Sequence, residues 1–326
     1  MTNILTIGEI LLRLSTEQGK RLSQSTSLDM HLGGAEYNVA VNMANFGYGS
    51  KLASILPDNL LGNLALENLA KYNVNTDFVE SSGERLGTYY VESGIGPKAP
   101  NVIYDRKHSS FVTNHLTCDL DSLFSGVSLL HVTGITIALS DDWLTTIIKI
   151  MHFARERGVK ISFDMNYRSK LWTVDQAKKA YQQVLPYIDY CSANKKDAVA
   201  FFEVDEHEKN YYHAMKRAYP NIELFFSTYR TVVNATHQTL AGNLWINNQL
   251  YTSDQFDIYP IVDRIGSGDA FTAGILHGIL SQTPPAQMID FATVSSVLKH
   301  SIKGDVNLFS HEDIEAFIDD GSSITR

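Results

Sequence analysis

The sequence predicts an α/β fold: a mostly parallel central sheet with helices on both faces, and a small β-sheet lid set apart from it. Three observations predict it. Short apolar runs alternate with helix-period stripes through the middle of the chain, the pattern of strands joined by crossover helices. Two stretches, about 12–32 and 86–112, break that alternation. They are polar and turn-rich with short strand-like cores, which suits a small sheet over the strand ends. Finally, no Pro-rich linker, repeat or low-complexity tract interrupts the 326 residues, so one domain over 1–326 is expected, with the lid inside it.

The elements follow in order. Asn3 to Gly8 reads as a strand, and Gly33-Gly34 opens a helix that runs to about Phe46 and Gly47. Thr88 to Val91 and Val102 to Tyr104 are the strand-like cores of the second lid stretch. Leu129 to Thr133 reads as a strand, and 141–157 carries a helical stripe (Leu144, Ile147, Ile148, Met151, Ala154) ended by Gly158. Strands are expected at 159–163, 187–191 and 222–226, with helices at 177–185 and 194–202. Pro284-Pro285 separates the last two long helices. In a sheet wound by right-handed crossovers, ligands lie outside the carboxyl ends of the strands. Asp164, Asn166, Arg168, Asn194 and Ser227 all fall just after expected strands, on that side.

Composition excludes several classes. Twenty-seven basic against thirty-six acidic residues give a net charge of −9, and no Lys/Arg block stands out. That argues against nucleic acid or an anionic membrane as the main partner. An acidic protein that binds an anion must concentrate positive charge locally, so individual arginines matter. Cys118 and Cys191 are too few for a disulfide framework or a zinc site. The eleven histidines show no metal-ligand spacing. No signal-like segment opens the sequence and no apolar run reaches membrane-spanning length, so a cytoplasmic location is expected. Asn234-Ala-Thr236 is then only a surface sequon.

The most informative stretch is Asp263 to Gly274. Gly266, Ser267 and Gly268 lead into Asp269 and an apolar helical pattern. The first N–H groups of such a helix have no intrahelical partner, and the helix dipole adds partial positive charge. The turn can therefore cradle a phosphate or a developing oxyanion, and Asp269 is placed to take a proton from an attacking hydroxyl. The same residues also make an ordinary strand-to-helix turn. Neither standard nucleotide fingerprint is present: Phe271 stands where the dinucleotide pattern needs its third glycine, and Gly19-Lys20 is followed by Arg21.

This segment resembles the C-terminal signature of the ribokinase-like (PfkB-type) carbohydrate kinases. Gly33 to Ala40 resembles their N-terminal double-glycine helix. Tyr104 to Lys107, Asp164 to Trp172, Gly8 to Leu14 and Leu298 to Asp305 are similar to the 2-keto-3-deoxygluconate kinase branch. The resemblance covers essentially the whole chain. It implies a three-layer sandwich with a lid over the sugar, and ATP-dependent, magnesium-assisted phosphorylation of a small anionic sugar acid. In that reading Asp269 is the base, and Gly266, Ser267 and Gly268 form the anion hole. Gly33, Gly34, Asn38, Tyr89, Tyr104, Arg106, Asn166 and Arg168 bind the sugar, the two arginines gripping its carboxylate. Asn194, Ser227 and Arg230 meet the nucleotide, with Gly266 and Gly268.

Two departures stand out. The family's Asn-x-x-Glu is Asn194-Lys-Lys-Asp197 here, so Asp197 is the metal-side candidate, one methylene short. The nucleotide-side Thr-x-Gly-x-x-Gly is replaced by Ser227 to Arg230 and a glycine-free run to His237. Alternatives remain at this level: a kinase of fructose, ribose or a nucleoside, or a non-catalytic sugar-binding sensor. The open edges of a lid sheet would also allow a homo-oligomer.

Overall fold

The structure is a computed structural model, and it describes residues 3–321. Its strands in chain order are β1 (Asn3–Ile7), β2 (Leu11–Ser15), β3 (Asp29–Gly33), β4 (Gly49–Leu56), β5 (Val74–Asn75), β6 (Val79–Ser81), β7 (Gly87–Glu92), β8 (Asn101–Asp105), β9 (Val127–Thr133), β10 (Lys160–Asp164), β11 (Tyr190–Ser192), β12 (Leu224–Asn234), β13 (His237–Ile246), β14 (Gln249–Thr252) and β15 (Phe256–Ile258). The long helices are α1 (Ala35–Asn45), α2 (Leu60–Lys71), α3 (Asp141–Glu156), α4 (Val174–Val184), α5 (Lys195–Phe201), α6 (Tyr211–Ala218), α7 (Ser267–Leu280), α8 (Pro285–Lys299) and α9 (His311–Asp320).

The central sheet runs β14-β13-β12-β11-β10-β9-β1-β4-β5, with β6 beside β4 and β15 beside β13. From β12 to β5 its neighbours are parallel. Alternate residues of each strand feed opposite faces. Leu5, Leu130 and Ile161 pack under Trp143, Ile147 and Met151 of α3 and Tyr181 of α4. Ile4 and Leu129 pack under Val39 and Met43 of α1 and Phe271, Ile275 and Met288 of α7 and α8. This is a three-layer α/β sandwich. A helix such as α3 forms because Ser140 caps it, accepting from the Trp143 N–H at 3.1 Å, while Asp141 and Asp142 complement the dipole.

The lid is a second sheet, ordered β3-β2-β7-β8, so both anticipated stretches contribute two strands each. Between β2 and β3 the chain is turn and a short 3-10 helix, Leu22–Gln24. Among the described residues no helix is long and apolar enough to cross a membrane.

Two expectations need correction. Tyr187 belongs to a 3-10 turn begun by Leu185-Pro186, so β11 starts only at Tyr190. More consequentially, the strand expected at 222–226 continues to Asn234 and pairs antiparallel with β13. Thr228, Tyr229, Thr231, Val232 and Val233 are β-favouring residues that extend it. Ser227 and Arg230 therefore sit within a strand of a long hairpin instead of in a loop after one.

Candidate active site

The lid and the carboxyl ends of the parallel strands enclose a cavity of about 440 Å³. Gly34, Asn38, Tyr89, Tyr104, Arg106, Asn166, Arg168, Asn194, Asp197, Ser227, Arg230, Gly266, Ser267, Gly268 and Asp269 all line it. Gly33 does not: it ends β3 behind the wall, where a Cβ would collide with the Asp305 carboxylate. Gly34 is the glycine on the cavity itself, with φ +145°, and a Cβ there would strike the Glu9 carbonyl oxygen.

Asp269 lies in the first turn of α7, capped by Gly266 at φ +82°. Gly266 admits no side chain, because the Asp305 backbone carbonyl occupies the space a Cβ would need. Gly268 faces open space. Ser267 turns its hydroxyl back to the Arg264 carbonyl at 2.9 Å, so only its backbone can serve an anion. The Asp269 carboxyl accepts a 2.6 Å bond from the Asn38 amide. Burial raises its pKa to about 7, against the lowering effect of that bond. Such a group is poised to accept a proton near neutrality. Asn38 thus holds the candidate base, and its own Oδ1 is buried without a partner.

Tyr89 and Tyr104 stand opposite each other on β7 and β8, their rings stacked at 5.6 Å. The Tyr89 hydroxyl donates to the Asp305 carboxylate. Arg106 differs from the expected free cation: its guanidinium is ion-paired with the buried Glu9, whose other oxygen accepts from Ser109. Its Nε has no partner. Arg168 is exposed; among the described residues its guanidinium has the Tyr167 carbonyl at 3.2 Å and no ion pair. Asn166 sits at φ +40° beside Asp164, its N–H 3.2 Å from that carboxylate. Burial raises Asp164 to about 6, although Arg168 opposes this.

Elsewhere on the cavity wall, Asn194 caps α5, its Oδ1 accepting from the Lys196 and Asp197 N–H groups at 2.8 and 3.3 Å. Asp197 returns the favour, accepting from the Asn194 N–H at 2.9 Å. Burial raises its pKa as well. Ser227 shares a 2.7 Å bond with the Tyr212 hydroxyl. Among the described residues no group of three His, Cys, Asp or Glu is placed to hold a metal. What the site offers is a carboxylate pair, Asp164 and Asp197, the second raising the pKa of the first. That fits an ion that arrives on phosphates and needs only one or two protein carboxylates.

Several contributors escaped sequence reasoning. Asp305 lines the cavity and ties it together: it accepts from Tyr89 and, at 2.9 Å, from Arg13 of β2, which also pairs with Asp263 at 2.8 Å. Burial works against the charge on Arg13, but Asp305 and Asp263 outweigh it and raise its pKa. The buried Lys299 reaches the carbonyls of Ile302 and Asp263 at 3.3 and 3.5 Å, beneath the same loop. Glu36, also on the wall, takes three bonds from Thr133 and Thr136. Glu9, Arg13, Arg264 and Asp305 all lie in motif segments, yet no spacing rule connects residues so far apart in sequence.

Comparison with known proteins agrees with this geometry. The pfkB family carbohydrate kinase profile matches residues 1–308. A PfkB family carbohydrate kinase structure from Listeria grayi superimposes with a TM-score of 0.97 at 52% identity, covering 98% of this chain and 100% of that one. The 2-dehydro-3-deoxygluconokinase structure of Thermotoga maritima gives 0.94 at 32% identity, over 98% and 100%. The 2-dehydro-3-deoxygalactonokinase of Haloferax volcanii is 29% identical over 98% of each chain. The chain belongs to the pfkB family of carbohydrate kinases and is an ATP-dependent phosphotransferase.

Proposed function

We propose that this kinase transfers the γ-phosphoryl group of ATP to the terminal hydroxyl of 2-keto-3-deoxygluconate, giving 2-keto-3-deoxy-6-phosphogluconate. The observation that carries the reading is the half-buried Asp269 carboxyl, whose surroundings push its pKa up to about 7. It shares a helix N-terminus with the open Gly268 backbone, and a cavity with the unpaired Arg168. Asp269 takes the hydroxyl proton as the oxygen attacks in line. The N–H groups at Gly266 to Gly268 meet the charge that grows on the transferring phosphoryl. Gly34, Asn38 and Asn166 bind the sugar hydroxyls, and the stacked Tyr89 and Tyr104 close over its apolar face. Arg168 grips the carboxylate, with the Arg106 Nε as a second donor. Asn194 and Ser227 lie toward the nucleotide. Asp197 and Asp164 would hold a magnesium ion that came with the nucleotide, and it would supply charge neutralisation. The sandwich and lid act as one unit, and the exposed edge strand β8 is where a second copy would add.

The Haloferax relative favours one second reading, the galactonate epimer, which differs at a single hydroxyl. A coupled assay of ATP turnover over both keto-deoxy acids, aldonic acids and fructose tests both. The keto-deoxy acids should lead in kcat/KM, and Arg168→Ala should cut that lead by about ten-fold to a hundred-fold, the worth of a hydrogen bond to a charged group. Equal losses on acid and fructose would return Arg168 to a structural or phosphate role and reopen the neutral-sugar reading. Binding without turnover in the wild type would identify a sensor.

A further inference from the structure

Among the described residues five arginines, Arg13, Arg85, Arg106, Arg155 and Arg157, are paired with carboxylates, while Arg21 and Arg217 lie exposed on the outer surface. Three on the cavity wall have no ion pair among the described residues: Arg168, Arg230 and Arg264. Carboxylates are not scarce at a net charge of −9, so leaving these three without an ion pair needs a reason. Arg230 is exposed, and its guanidinium makes no hydrogen bond among the described residues. Arg264 uses only Nη2, which donates to the Asn234 and Ala235 carbonyls at 3.2 and 2.6 Å. Crowding by surrounding protein, then the like charges of Arg264 and Arg168, lowers the pKa of Arg230, and burial lowers that of Arg264. Like charges held together destabilise the fold unless an anion joins them.

The backbone explains how they are held. Arg230 rides on the extended β12, opposite Leu240 of β13. The turn of that hairpin is fixed at two points: Arg264 grips its carbonyls, and the Ala235 N–H donates to the Gly96 carbonyl of the lid at 2.8 Å. Arg264 is two residues before Gly266, so the hairpin fastens a guanidinium directly beside the α7 N-terminus. This is the stretch where the expected glycine-rich nucleotide segment is missing. A single carboxylate would satisfy one guanidinium. A chain of phosphates carries the charge and the spaced oxygens to satisfy two.

We propose that Arg230 and Arg264 form a two-guanidinium clamp for a polyphosphate chain, that of the nucleoside triphosphate, with Arg168 marking the border toward the sugar. This rests on the kinase reading above, and it assigns to fixed side-chain charge the grip that a glycine loop would give. The test is calorimetric titration of inorganic tripolyphosphate into the metal-free protein, repeated with sulfate and with ATP as competitor. Wild type should bind tripolyphosphate well above sulfate, and ATP should displace it. Arg230→Gln and Arg264→Gln should each weaken binding by about ten-fold to a hundred-fold and raise the KM for ATP, while calorimetric affinity for the sugar acid stays put. Should a glutamine variant melt early, Arg230→Lys and Arg264→Lys keep the charge and should restore part of the affinity. Unchanged tripolyphosphate affinity in a natively melting double variant overturns the clamp, as does sulfate binding of equal strength. Failure of ATP to compete overturns the nucleotide as occupant. The calorimetric outcomes do not depend on turnover, so the kinase reading fails separately, by absence of ATP consumption with every sugar.

Discussion

At Asp269 folding and chemistry pull in opposite directions. Burial holds the carboxyl near 7 in the folded chain, whereas an exposed aspartate titrates near 3.8. Between those values the unfolded chain ionises and the folded one does not, so this group loses stability as pH rises through that window and contributes most below it. Asp269→Asn keeps the shape and removes the cost. Its melting temperature should exceed that of wild type at pH 8, by the equivalent of up to about 4 kcal/mol, and the two should converge near pH 4. Turnover should fall by about a hundred-fold to ten-thousand-fold, with sugar binding retained. A variant neither stabilised at pH 8 nor slowed would remove Asp269 from the mechanism. The place of Asp269 at the start of α7 was legible in the sequence because the glycine turn that leads into it adjoins it in the chain. Asp305 was not, since its meaning comes from Tyr89 and Arg13, more than two hundred residues away.

Among the elements, the turn into α7 separates two glycines that look alike on paper. Gly266 has φ +82° and no room for a Cβ, while Gly268 has ordinary φ and open space. Gly266→Ala should lower the melting temperature and activity together. Gly268→Val should leave melting close to wild type yet block phosphate approach and abolish most turnover. Melting curves beside the coupled assay decide it, and a Gly268→Val protein that melts early would make the turn merely structural. The helices α1, α3, α4, α5, α7 and α8 and the parallel strands β1, β9 and β10 were readable from period and punctuation, whereas β4 and α2 were not. The β12–β13 hairpin was not, because its exposed half, Tyr229 to Val233, lacks the alternating buried face that signals a strand.

Across the whole molecule, the lid is joined to the sandwich by a buried charge group. Arg13 of β2 sits between Asp263 and Asp305, all almost inaccessible to water. Arg13→Met would strand two buried carboxylates, and breaking such a set typically costs about 3–5 kcal/mol. The midpoint of urea unfolding should fall accordingly, and a midpoint within error of wild type would show the group to be dispensable. Layer order was foreseeable from the sequence, but this junction was not. Its position also bears on how such kinases diversify. One residue, Asp305, receives Tyr89 of the lid, abuts Gly33, and sets its backbone carbonyl against Gly266 at the start of α7. The lid is therefore not a detachable module. Grafting the lid of a relative with another sugar preference would carry in a new partner for Asp305 and shift the turn at Gly266 with it. Specificity in this chain should change more readily at the cavity rim, around Arg168 and Asn166, than by exchange of whole strands.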